Sequence, residues 1–190
     1  CFSHLFASAA NGSTAPLPYY HSMYVPNGHA EFPRLWGDLI NPLLIFSVAT
    51  SASEVIFSGI SNADVPTGTV MSNLPMMVKG GTGAPRLVLK NLRITSNANS
   101  PAVTVTDEAD LVVISCVFVA NPAAAIRQIS GRLQVRASRF TRNGNLTISG
   151  GALQLFGGLS EILSSTLEEN MGLTGAAVYV VGAVVSLGER

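Results

Sequence analysis

The segment Leu133-Gln-Val-Arg-Ala-Ser-Arg-Phe-Thr-Arg-Asn143 carries aliphatic or aromatic side chains at its first, third and eighth positions, a small residue at its fifth and an amide at its end. Three other segments align with it: Leu87-Val-Leu-Lys-Asn-Leu-Arg-Ile-Thr-Ser-Asn97, Leu111-Val-Val-Ile-Ser-Cys-Val-Phe-Val-Ala-Asn121 and Ser160-Glu-Ile-Leu-Ser-Ser-Thr-Leu-Glu-Glu-Asn170. Every copy ends in Asn. The third position is Leu89, Val113, Val135 or Ile162, the fifth is Asn91, Ser115, Ala137 or Ser164, and the eighth is Ile94, Phe118, Phe140 or Leu167. The copies start 24, 22 and 27 residues apart, a period that signals a repeat architecture.

Leucine-rich repeats share this period, but they need a close series of leucines around Asn or Cys and a helical return, and neither is present. After each Asn another apolar run follows instead: Ala102-Val-Thr-Val105, Ala124-Ala-Ile-Arg127, Gly150-Gly-Ala-Leu-Gln-Leu155 and Gly175-Ala-Ala-Val-Tyr-Val180. Each repeat therefore holds about three short strands and no crossover helix. This pattern predicts an all-β chain wound as a right-handed, single-stranded parallel β-helix, a solenoid whose rungs stack at roughly 4.8 Å. In that geometry Asn97, Asn121, Asn143 and Asn170 form one ladder of amides, and Ile94, Phe118, Phe140 and Leu167 form an apolar interior stack. Arg142 and Glu169 share the tenth position on neighbouring rungs and are expected to pair.

Phe140-Thr-Arg-Asn143 followed by Gly150-Gly-Ala-Leu153 resembles the paired FxxN and GGA(I/L/V) motifs of the polymorphic outer membrane protein repeats, found in bacterial surface proteins and in similar right-handed β-helix proteins. Phe118-Val-Ala-Asn121 matches the first motif again. Leu167-Glu-Glu-Asn170 with Gly175-Ala-Ala-Val178 departs from both, with Leu for Phe and Ala for the second Gly. The resemblance spans residues 87–187, a little over half the chain. It implies a pectin lyase-like solenoid serving as a secreted or surface adhesin-like scaffold. It carries over no binding residues, because both motifs mark turns and interior positions.

Outside these repeats the chain reads differently. Leu43–Val48, Glu54–Ile60, Thr69–Met71 and Met76–Val78 read as strands of one or two irregular rungs, separated by turn signals such as Pro66, Gly68 and Gly80-Gly-Thr-Gly83. Residues 1–40 hold Pro16, Pro18, Pro26 and Pro33 with Tyr19, Tyr20, Tyr24 and Trp36, and are expected to form an extended arm or cap over the solenoid 41–190. The aromatic residues of the arm are candidate interface anchors. A start at Cys1 rather than Met suggests processing or a missing beginning, an acylated lipoprotein Cys being one form of it. Val184-Val-Ser-Leu187 reads as the opening of another rung, whose edge is expected to be covered by further chain or by a partner.

The 190 residues are 47% hydrophobic and 12% charged, with 11 basic and 11 acidic side chains, enough apolar matter for one core. A balanced charge argues against a general nucleic-acid binder. The uncharged run Met171–Leu187 is shorter than the ~20 residues of a spanning helix and is rich in Val and Gly, so no transmembrane span is expected. Two glycosylation sequons, Asn11-Gly-Ser13 and Asn145-Leu-Thr147, matter only in a eukaryotic secretory pathway.

Catalytic chemistry finds little footing. Cys1, His4, His21 and His29 have no tight metal-ligand spacing, and Cys116 alternates with Leu92, Ser138 and Ser165 as a core or corner residue. The Gly80–Ala84 loop lacks the Lys-Ser/Thr of a phosphate cradle. Asp107, Glu108 and Asp110 group in a turn that reads as solvated, with calcium binding through Asp107 and Asp110 as its functional alternative. No catalytic, metal or cofactor site is assigned. The most asymmetric feature is an arginine run, Arg127, Arg132, Arg136, Arg139 and Arg142, with no acidic residue from Leu111 to Ser160. On stacked rungs it is a candidate surface for an anionic glycan or acidic partner, unless Arg142 pairs with Glu169 and Arg127 with the Asp107–Asp110 turn. The expected function is a non-catalytic scaffold or adhesion module, extracellular or at the cell surface, that presents a rigid face to a glycan or protein partner. The alternatives are an accessory subunit within a large assembly, and a polysaccharide lyase or hydrolase.

Overall fold

A computed structural model describes the chain at residues 75–80, 86–95 and 100–189 with side chains, and at four earlier strands by backbone alone. Those strands are β1 (Met23–Tyr24), β2 (Leu44–Ser47), β3 (Glu54–Ser58) and β4 (Thr69–Ser72). Four full turns follow. They comprise β5 (Met76–Lys79), β6 (Arg86–Lys90) and β7 (Leu92–Thr95); β8 (Val103–Thr106), β9 (Asp110–Ile114) and β10 (Val117–Val119); β11 (Ile126–Gln128), β12 (Arg132–Arg136) and β13 (Arg139–Thr141); and β14 (Leu153–Leu155), β15 (Leu159–Leu163) and β16 (Thr166–Glu168). Then come β17 (Val178–Val180) and β18 (Val184–Gly188). Among the described residues there is no helix.

The strands assort into three sheets. Sheet 1 runs β2-β5-β8-β11-β14-β17, sheet 2 runs β1-β3-β6-β9-β12-β15-β18, and sheet 3 runs β4-β7-β10-β13-β16. Every pairing is parallel, as in Leu111↔Leu133↔Ser160 and Ile94↔Phe118↔Phe140↔Leu167. The chain is thus a parallel β-solenoid, each turn visiting sheets 1, 2 and 3 in order. Apart from β1, which lies against Phe57–Ser58 of β3, the expected arm 1–40 falls outside the described residues.

Alternation within such short strands puts one face inside the coil. The interior columns hold Leu87, Leu111 and Leu133, then Leu89, Val113, Val135 and Ile162, then Ile94, Phe118 and Phe140, all buried. The Phe118 and Phe140 rings stack with centroids 4.9 Å apart and planes 4° from parallel. Ser160 interrupts the leucine column for a reason that lies across the coil. Gln128 is buried between Val105 and Leu155, donates through Nε2 to Gly131 O at 3.0 Å and Leu159 O at 3.1 Å, and accepts from the Ser160 hydroxyl. One buried amide therefore has all its needs met by one hydroxyl and two carbonyls.

The corners explain the rest of the repeat. Between sheets 2 and 3 the fifth position bends the chain through the left-handed region, at φ 54° for Asn91, 51° for Ser115, 48° for Ala137 and 48° for Ser164. None of these residues is β-branched, the class of side chain that this conformation disfavours most. The tenth position does the same at Ala120, Arg142 and Glu169, which turns the following Asn inward. At the Gly150-Gly151 pair, Gly150 has φ +74°, and a Cβ on Gly151 would lie 2.1 Å from Met171 O, so the second glycine is there to let two backbones meet.

Candidate binding surface

At the corner after sheet 3 the amides stack. Asn121 Nδ2 donates to Asn143 Oδ1 at 2.8 Å, and Asn143 Nδ2 donates to Asn170 Oδ1 at 3.0 Å. Each Oδ1 also takes the backbone N–H of the Asn above it, Asn121 at 3.2 Å and Asn143 at 3.0 Å. The second amide proton goes to the carbonyl of the eighth position one rung back: Ile94 O, Phe118 O and Phe140 O for Asn121, Asn143 and Asn170. Asn97 lies outside the described residues. The ladder ties turn to turn, with Asn121 and Asn143 buried and Asn170 partly so, and its amides are engaged with one another and with the backbone rather than turned to a ligand.

A second column runs at the corner between sheets 2 and 3. Ser138 Oγ accepts from Cys116 N–H, and Ser165 Oγ accepts from Ser138 N–H, both at 3.1 Å. Each hydroxyl donates to the carbonyl two residues back, Arg136 O and Leu163 O, and Cys116 Sγ does likewise to Ile114 O at 3.3 Å. Burial pushes the Cys116 thiol up to about 12, so it stays protonated and takes the place of a hydroxyl.

Four of the five arginines meet partners one turn on. The β11–β13 turn holds all five, and the β14–β16 turn holds Glu161, Glu168 and Glu169 with no basic residue. Arg136 Nη2 lies 3.2 Å from Glu161 Oε2, Arg139 forks onto Glu168, and Arg142 Nε lies 2.8 Å from Glu169 Oε2. Arg127 Nε donates to Gln154 Oε1 at 2.7 Å rather than reaching the Asp107–Asp110 turn, where Asp107 lies 3.9 Å from Lys79. Arg132 is exposed at the start of β12, in register with Asp110. Among the described residues no group of three or more His, Cys, Asp or Glu side chains is placed to hold a metal ion; Cys1, His4, His21 and His29 lie outside them, as do Tyr19, Tyr20 and Trp36. Of Tyr24 only the backbone, in β1, is described. No described helix is long and apolar enough to cross a membrane.

The Arg142–Glu169 pair makes a pH prediction. Hydrogen bonding and then the charge of Arg142 hold the Glu169 carboxyl below its ordinary 4.5. A depressed carboxyl contributes its stabilisation above that ordinary value and loses it as pH falls through the folded value. Titration of the Glu169 carboxyl carbon by NMR is expected to give a midpoint below 4.5, which moves back up in Arg142→Gln. The same midpoint in both proteins would mean that the pair is not formed in solution.

What the repeat alignment leaves out is an apolar ridge where sheet 1 turns into sheet 2. Ile129, Phe156 and Val181 directly follow the paired residues Gln128, Leu155 and Val180, and are 49%, 42% and 47% exposed. Beside them Leu159 pairs with Val184, at 50% and 67% exposure. Tyr179 meets the Phe156 ring edge-on at 6.0 Å. Large apolar side chains gathered in adjacent rows on an outer surface are the usual mark of a contact area. The signal for the ridge is in the sequence, four residues ahead of the first position of a repeat, at Ile129 before Leu133 and Phe156 before Ser160. No protein-family profile, curated protein or solved structure matches this chain.

Proposed function

We propose that this chain is a non-catalytic scaffold that presents a rigid outer face to a glycan or protein partner, as an adhesion module does. The observation that carries the reading is the row of half-exposed apolar residues, Ile129, Phe156 and Val181 with Leu159 and Val184, held at rung spacing by unbroken parallel pairing beneath it. A partner covering such a ridge gains from apolar burial without the chain having to order itself first. The arginine row contributes less to this face, since the Glu161, Glu168 and Glu169 partners already offset three of its charges. A secreted or surface setting is what the likeness of Phe140–Asn143 and Gly150–Leu153 to polymorphic outer membrane protein repeats implies.

The test is binding of the purified chain to a panel of glycans and extracellular matrix proteins. Phe156→Ser with Leu159→Ser is expected to weaken a detected interaction by roughly tenfold or more, consistent with loss of an interface anchor, while thermal unfolding stays close to wild type. Binding that survives this change but disappears in high salt and in Arg127→Ala with Arg132→Ala would move the site to the arginines. Turnover of an acidic polysaccharide lost in Asp107→Asn or Asp110→Asn would replace the scaffold reading with an enzyme. A second reading, a subunit of a larger assembly, rests on the same ridge, Ile129, Phe156 and Leu159, which a neighbouring subunit would cover. It predicts oligomers on size exclusion, where an adhesion module runs as a monomer.

A further inference from the structure

Between β13 and β14 the chain makes its longest described departure from the coil, residues 142–152, and this loop carries Asn145-Leu146-Thr147, an acceptor sequence for N-linked glycans. Asn145 Oδ1 accepts from Thr147 N–H at 2.7 Å and from Thr147 Oγ1 at 2.5 Å. The hydroxyl that the sequon requires is therefore already on the amide, where it polarises the group and makes its N–H protons easier to lose. Asn145 Nδ2 donates one proton to Pro122 O at 2.9 Å. A primary amide has two, so a sugar on this nitrogen leaves that bond in place. Leu146, between the two sequon residues, is 70% exposed, which leaves the tripeptide outside the packed coil.

The neighbouring loop adds a reason for a glycan here. It lies against the first through Leu173 N–H to Ile148 O at 2.6 Å and a Ser149–Thr174 hydroxyl contact at 2.6 Å. It exposes Met171 and Leu173, so three large apolar side chains, with Leu146, face water on the two joined loops. A hydrated oligosaccharide rooted at Asn145 would cover them.

We propose that Asn145 is an N-glycan acceptor whose sugar the folded solenoid carries at this corner. The donor is an oligosaccharide on a polyprenyl pyrophosphate. Asn145 Nδ2 attacks sugar C1, the C1–O bond breaks with its electron pair leaving on the pyrophosphate, and the displaced amide proton passes to a base of the transferase. Use of the site in the native setting rests on the secreted or surface reading above, whereas its competence as an acceptor does not.

The experiment directs the full chain into the secretory pathway of cultured eukaryotic cells with a cleavable leader, in an Asn11→Gln background that silences the other sequon. The same chains are translated in parallel with endoplasmic reticulum microsomes. One mass increment is expected, removed by peptide N-glycosidase with heavy oxygen incorporated at Asn145, absent in Asn145→Gln and Thr147→Ala, and kept in Thr147→Ser. The glycosylated protein should resist protease as the bare protein does. An unmodified Asn145 in both systems would overturn the proposal, as would a glycan found only on protease-sensitive chains. A variant that fails to leave the cell is still read in the microsomes. Absence of any partner binding by chains that carry the glycan would count against the scaffold reading alone.

Discussion

Phe140→Ala is expected to cost about 3 to 5 kcal/mol of folding stability, the range for a large aromatic side chain removed from a closed core. Phe140 is fully buried and its ring lies flat on Phe118, so the change deletes both the apolar burial and the stacked contact, the latter adding about 0.5 to 1.5 kcal/mol beyond area. Rungs above and below are fixed by backbone pairing of β13 to β10 and β16, which limits how far the coil can collapse into the space. Phe140→Leu, which puts here the residue that stands one turn on at Leu167, should cost about 1 to 2 kcal/mol. Urea unfolding gives the comparison. A fall in the slope of the transition would mean that the array has begun to unfold in parts, as stacked repeats do when one interface fails. A loss below about 1 kcal/mol for the alanine variant would mean that the stack is not closed in solution.

Asn143→Ala is expected to lower stability by about 2 to 5 kcal/mol, because it leaves polar groups buried without partners rather than removing them. The N–H of Asn121 loses its acceptor, Phe118 O loses its donor, and Asn170 Oδ1 loses one of its two donors. Asn121 Nδ2 keeps its bond to Ile94 O, which bounds the damage. Asn143→Asp separates geometry from chemistry. Its carboxyl has the same shape, but when ionised it turns acceptors toward Phe118 O and Asn170 Oδ1. The folded state then raises its pKa above the unfolded value of about 3.9, so its stability should fall as pH rises from there through the folded value. A pH-independent loss in Asn143→Asp would count against the ladder.

The solenoid was legible because stacking turns spatial equivalence into sequence alignment: Leu111 over Leu133 and Phe118 over Phe140 are neighbours at positions that also match in the repeat. The fifth position was legible as small or polar without its cause, the left-handed bend at Asn91, Ser115, Ala137 and Ser164. Polar groups inside the coil were harder. Gln128 and Ser160 sit in columns otherwise filled by Val105, Leu155 and leucines, and only the closed cross-section brings them together. The Cys116–Ser138–Ser165 column was legible as a shared core or corner position but not as a ladder: its bonds run from side chain to backbone, and backbone groups leave no trace in composition. The apolar ridge lay outside the aligned segments, in the corner that precedes each of them.

Those corners differ in kind. From sheet 1 to sheet 2 the later turns use three residues each, 129–131, 156–158 and 181–183, whereas the return from sheet 3 takes 120–125, 142–152 or 169–177. Splicing one residue into 156–158 would slip β15 by a single step and swap its two faces, sending Ile162 out to water. The 145–149 loop already differs in length from its counterparts, so a foreign peptide grafted there should ride on the outside as cargo while every column within keeps its frame.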